Sequence, residues 1–310
     1  MSRLTSAAAL SLLLFTATVF SQTPTKKIAA TIPEGTGILL LAHGGSPKWN
    51  DEVLKIAAQI NREAPVEVAF GMASRRTIQE GVQKLSDRGI ERIVAVPLFI
   101  SSHSSVITST EYLLGQRKEA PAALAIFAKM DHGHGSHAPM DMNSDGATPV
   151  KSPVPLLMSS ALDRDPLVAE ILATRAASIS REPAREVVIM VAHGPTSDEN
   201  NNKWLADMKE LAELMRPKTQ YKRIEYLTVR DDAPDPIRSN AAAELRARVE
   251  AATGAGDKVL IVPLLLSYGG IEQGIKKRLE GLDYTITDRG LLPDERLALW
   301  VKLSVIKTTH

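Results

Sequence analysis

Gly37-Ile38-Leu39-Leu40-Leu41-Ala42-His43-Gly44 is a short apolar run that stops abruptly at a histidine and a glycine. A continuous run of this kind suits a strand buried on both faces of a parallel sheet. It delivers one polar side chain to the strand tip. Val187-Val188-Ile189-Met190-Val191-Ala192-His193-Gly194 repeats the run, the histidine and the glycine, and an amphipathic segment follows each copy. The chain therefore reads as two related halves.

Outward from the first copy, Ser46 and Pro47 form a helix start, with serine as N-cap and proline at the first helical position. Val53, Ile56, Ala57 and Ile60 share one helical face. The pattern then predicts a strand over Val66–Phe70, a helix over Ser74–Arg88 and a strand over Arg92–Ile100. A polar loop passing into a helix follows over Ser101–Gly115, then a fourth strand over Ala122–Ala128. In the second half, Thr196 with Glu199 has the capping-box pattern, and Trp204, Met208, Leu211 and Met215 make a helix face. Strands over Ile224–Val229, Val259–Leu266 and Tyr284–Thr287 alternate with helices over Ile237–Ala252, Ile271–Leu279 and Glu295–Val305. Strands alternating with helices predict α/β architecture, with doubly wound parallel sheets related by internal duplication.

At 310 residues the chain has room for two domains with their own cores. Lys and Arg number 37 against 36 Asp and Glu, a net charge of +1, and no basic stripe interleaves with aromatics, which argues against a nucleic-acid partner. There is no cysteine, so disulfides and thiolate metal sites are excluded, and any metal must be held by His, Asp, Glu or Met. Arg3, the apolar run Ala7–Phe20 and Ser21 have the layout of a secretory signal over residues 1–21. The run is short of the ~20 residues of a spanning helix, so no stable membrane insertion is expected after its removal, and an exported, periplasmic protein is. Residues 22–36 read as a tether, 37–130 as the first domain, 131–155 as a His/Met-rich linker loop, 156–181 as a helix closing the first domain and 182–310 as the second domain.

In open parallel sheets, ligands bind beyond the carboxyl ends of the strands. His43 and His193 fall there, and His103 lies just past the strand ending at Ile100. Hydrogen-bonded structural histidines are the plain alternative. Neutral imidazoles suit divalent cobalt, nickel, iron, copper and zinc, and two or three of them leave coordination positions open. Gly44-Gly45 before a helix could instead cradle a phosphate, although neither dinucleotide nor P-loop spacing is present. His132, His134, His137, Met140 and Met142 give the linker the composition of a soft-metal handle.

The Leu-Ala-His-Gly-Gly-Ser strand end, Val96-Pro97-Leu98-Phe99-Ile100-Ser101-Ser102-His103, the Ile-Val-Pro-Leu-Leu-Leu-Ser-Tyr-Gly-Gly stretch of 261–270 and the two-half layout resemble the CbiX/SirB class of sirohydrochlorin chelatases. The resemblance covers about residues 37–305. It implies two chelatase-like domains and insertion of Co2+, or of Fe2+ or Ni2+, into sirohydrochlorin or a related tetrapyrrole without ATP. By the same resemblance His43 and His103 are the catalytic and metal-holding histidines, with His193 as a further metal ligand. Ser105 and Ile271 stand where the family pattern places a histidine. A carboxylate-rich macrocycle calls for basic groups at the rim, and Arg75, Arg76 and Arg230 are the candidates. Glu111 and Glu272 are either carboxylate helpers or solvated helix charges. The rival reading is an exported metal- or tetrapyrrole-binding protein without turnover.

Overall fold

The computed structural model describes residues 31–131 and 147–310, which pack as one unit. Two four-stranded, wholly parallel sheets carry the chain, with the same strand order in each. The first runs β2 (Val66–Phe70), β1 (Thr36–Ala42), β3 (Arg92–Pro97), β4 (Leu156–Met158). The second runs β6 (Arg223–Thr228), β5 (Glu186–Ala192), β7 (Lys258–Leu264), β8 (Thr285–Ile286). These are the two related halves that the repeated run predicts. In each, the quoted apolar run is a central strand with every residue buried, so its tip is the best-braced point of the sheet.

The helices are α1 (Pro47–Ile60), α2 (Arg75–Ser86), α3 (Ser105–Leu113), α4 (Ala122–Asp131), α5 (Pro166–Ile179), α6 (Asp198–Met215), α7 (Ile237–Gly254), α8 (Ile271–Arg278) and α9 (Glu295–Thr309). Alternation along β1 sorts them into layers. Leu39 and Leu41 face α2, α3 and α4, whereas Ile38, Leu40 and Ala42 face inward. Val187, Ile189 and Val191 of β5 face α7 and α8, and Val188, Met190 and Ala192 face inward. The two inward faces join one core, filled by α1, α5, α6 and α9.

Two expectations are corrected here. Ala122–Ala128 is helical, within α4, because its alanines and leucine favour helix and Leu124 and Phe127 bury one face against the α3 side while Ile126 stays 56% exposed. The fourth strand is instead Leu156–Met158, a three-residue run between Pro155 and Ser159 whose brevity conceals it in the sequence. Residues 156–181 thus hold β4 as well as a helix, and that helix does not close the first sheet. α5 packs on α6 and β7 of the second sheet, while α9, the last helix of the chain, packs on α1 and β3 of the first.

This exchange is held mainly by apolar burial. Leu297, Trp300, Val301 and Val305 of α9 are each at most 2% exposed, and a fully buried side chain of this size contributes about 1.5–3 kcal/mol. The surface pair between Lys302 and Glu63 adds about 1 kcal/mol at most. Arg175 on α5 pins the segment leading into α9, donating to the carbonyls of Gly290 (2.8 Å), Leu291 (2.9 Å) and Pro293 (3.0 Å) and pairing with Asp294 at 3.4 Å.

Candidate metal and macrocycle site

The strand tips of both sheets open toward each other. His43 follows β1 directly, and Gly44 turns the chain away with φ +80° so that Ser46 can cap α1, its hydroxyl accepting from the Trp49 N–H. Trp49, 2% exposed, stacks on the histidine with ring centroids 4.5 Å apart, and the Phe99 ring lies 6.4 Å away. His43 remains open to solvent yet is hemmed in by protein, the signature of a group lining a recess. This desolvation holds its pKa below the ordinary histidine value, partly offset by a hydrogen bond to the Gly44 backbone and reinforced by charge on His193. The imidazole is consequently neutral, and available as a metal donor, across the neutral range.

His43 and His193 thus lie within electrostatic reach of one another. His193 follows β5 in the same way, with Gly194 at φ +75°, and its Nε2 lies 3.4 Å from the exposed Asp232 carboxylate. His103 is placed differently. Its loop is clamped by Asp163, which accepts from the Ser102 N–H (2.6 Å) and hydroxyl (2.8 Å). Its carbonyl takes the Trp204 indole N–H of α6 at 2.8 Å, and its Nε2 stands 3.8 Å from Asp207 on the same helix. Asp207 is 6% exposed, and its Oδ2 has no hydrogen-bond partner. Burial and the nearby Asp163 carboxylate raise its pKa. Among the described residues no three His, Asp or Glu side chains form a ready-made metal cluster.

The expected macrocycle contacts fare unequally. Arg230 is corrected to a structural role. It is 8% exposed at φ +49°, and its Nε, Nη1 and Nη2 are all engaged, by the Pro195 carbonyl (3.1 Å), Asp198 (2.6 Å) and the Thr196 carbonyl. It braces the turn that carries His193, and the N-cap of α6 is Ser197 rather than Thr196. Arg75 donates to the Thr148 carbonyl at 3.0 Å, and Arg76 pairs with Glu80 at 3.1 Å along an exposed face of α2. Glu272, 7% exposed, accepts from the N–H groups of Gly269 (3.2 Å) and Gly270 (2.9 Å), so it caps its own loop rather than serving substrate. Glu111 sits half-buried on α3. The linker histidines and methionines, and the expected signal segment, lie outside the described residues.

Several residues of the cleft escape a reading by strand tips alone. Trp49 and Trp204 each sit on the first helix after a His-Gly turn and reach the opposite half. Glu52, one turn beyond Trp49, accepts from the Ser267 hydroxyl across the cleft. Two of the three tryptophans on matching helices was the available signal.

Residues 37–179 match the model of the CbiX family. The sirohydrochlorin cobaltochelatase of Methanothermobacter thermautotrophicus is 32% identical over 82 residues, 26% of this chain and 57% of that protein, so the chain spans little more than half of that relative. The sirohydrochlorin cobaltochelatase of Methanopyrus kandleri is 28% identical over 142 residues, 44% of this chain and 92% of that protein. The structure of SirB from Bacillus subtilis with Fe3+ superposes on 88% of this chain and 94% of its own at TM-score 0.56 and 18% identity, which extends the shared fold across both halves. No helix among the described residues is long and apolar enough to cross a membrane.

Proposed function

We propose that this protein is a metal chelatase that inserts a divalent transition metal, Co2+ first and Fe2+ or Ni2+ next, into sirohydrochlorin or a related carboxylate-rich tetrapyrrole. The observation that carries the reading is His43: an accessible, desolvated imidazole at the tip of a wholly buried strand, within electrostatic reach of His193. Insertion requires that water leave the ion, that a pyrrole nitrogen face it and that two N–H protons depart. A neutral His43 holds the incoming ion, which is substrate rather than resident cofactor, and can accept a proton once the ion has moved on. The names of the relatives support cobalt. With two histidines rather than a closed set of four ligands, the ion keeps exchangeable positions and can be passed on.

The test is an absorbance time course of the full chain with Co2+ and metal-free sirohydrochlorin. Progressive conversion beyond one equivalent supports turnover, whereas a static shift that stops at one equivalent makes the protein a binder. Export is part of the same proposal, from Arg3, the run Ala7–Phe20 and Ser21. Mass spectrometry of the cell envelope should find a mature chain beginning near Gln22, and an intact Met1 in a membrane fraction would reject it.

A further inference from the structure

The two halves present quasi-equivalent loops to the cleft, and only one of them is filled. Val96-Pro97-Leu98 and Val262-Pro263-Leu264 occupy matching places at the ends of β3 and β7, so that His103 and Gly269 are counterparts. Each faces the tryptophan of the opposite half. On the His103 side the wall is closed: Trp204 bonds the His103 carbonyl, Asp207 lies against the ring, and Arg164 reaches Asp207 at 3.4 Å and Glu210 at 3.2 Å. On the Gly269 side it is open. A Cβ at Gly269 would meet only Trp49 Cδ1, at 3.6 Å, and one at Gly270 would meet nothing within 4 Å. Both glycines are exposed, and Gly270 has φ +134°, a conformation that keeps side chains out of this turn.

What surrounds the opening suits a flat, anionic ring. His43 lies beneath it, packed against the Trp49 ring with the two planes tilted by 39°. At its rim, half-exposed Arg289 lies within electrostatic reach of Glu52 and, among the described residues, pairs with its neighbour Asp288, at 3.0 and 3.1 Å. Such a surface pair exchanges readily for a substrate carboxylate.

We infer that the cleft is used from one side: the macrocycle enters over Gly269-Gly270, lies against His43, which Trp49 backs, and places a carboxylate on Arg289, while the His103–Trp204 wall stays shut. This rests on the chelatase reading above. It is tested by titrating metal-free sirohydrochlorin into the full chain and into Gly269→Leu, Gly269→Ala, Arg289→Gln and Arg164→Ala, following macrocycle absorbance, with Co2+ calorimetry and melting temperature alongside. Gly269→Leu should weaken macrocycle binding at least ~10-fold with Co2+ affinity and melting temperature unchanged. Gly269→Ala should show a smaller loss, Arg289→Gln a severalfold one, and Arg164→Ala none. Wild-type affinity in Gly269→Leu, or a loss confined to Arg164→Ala, overturns the one-sided entry. Absence of binding by the wild-type chain instead rejects the chelatase reading, and this inference with it.

Discussion

His43 and His193 end strands of the same length, in sheets of the same order, each buried along its whole run, yet the two tips have parted company. His43 is stacked on Trp49 and desolvated, whereas His193 looks onto Asp232, a carboxylate 74% exposed. The interior of a strand packed on both faces tolerates little change, since each substitution is felt by two cores. Tips and loops carry no such double constraint. A duplicated fold therefore keeps its sheets alike and differentiates at the strand ends, where chemistry resides.

The strongest challenge to this comparison is the paired removal of the imidazoles. His43→Ala should abolish metal insertion and weaken Co2+ binding at least ~10-fold, about 1.4 kcal/mol by calorimetry. His193→Ala should have an intermediate effect. Equal losses would restore a symmetric pair, and unchanged binding in His43→Ala would move the site elsewhere.

The arginines sharpen the comparison from the side of stability. Arg230→Ala should lower unfolding free energy by about 1–3 kcal/mol, because a buried guanidinium that ties the Pro195 and Thr196 carbonyls and Asp198 together is lost. Arg76→Ala, which loses one exposed helix pair, should cost about 0.5 kcal/mol or less in the same denaturant titration.

A smaller effect concerns acid. His43 titrates at 6.5 when unperturbed and below that in the fold. As pH falls through 6.5 the unfolded chain takes up this proton first, so the fold keeps its full stability above that value and loses some below it. His43→Gln should flatten that acid-side loss in melting curves recorded from neutral pH downward. A loss of equal steepness in the variant would show that burial at this tip is unimportant. The least effect is expected from deleting residues 131–150, which should leave insertion intact and remove at most a second, weaker phase of metal binding in calorimetry.

Most of the architecture was readable because β1 and β5 are uniformly apolar and the helices between strands show a clear buried face. Ser46-Pro47 marked the start of α1 to the residue. What misled was length and composition: Ala122–Ala128 is apolar on every side, so no period separates helix from strand, and Leu156–Met158 is too short to show one. His43 and His193 were found from the abrupt end of an apolar run. The Asp207 carboxylate beside His103 was not, because it comes from a helix that begins almost a hundred residues later. Arg230 matched its motif but not its role, since the carbonyls that hold it come from a turn whose course the sequence does not spell out.

The crossing of α5 and α9 makes the molecule indivisible at its most obvious seam. A cut after Arg181 would leave the leading fragment with β1–β4 and an α5 whose packing partners, α6 and β7, are on the other piece, while the trailing fragment would keep an α9 made for α1 and β3. Each piece would expose a strip of the common core, and neither could bury it without the other. The halves are thus one cooperative unit that should melt in a single transition, and coexpressed fragments should be recovered as a complex or not at all.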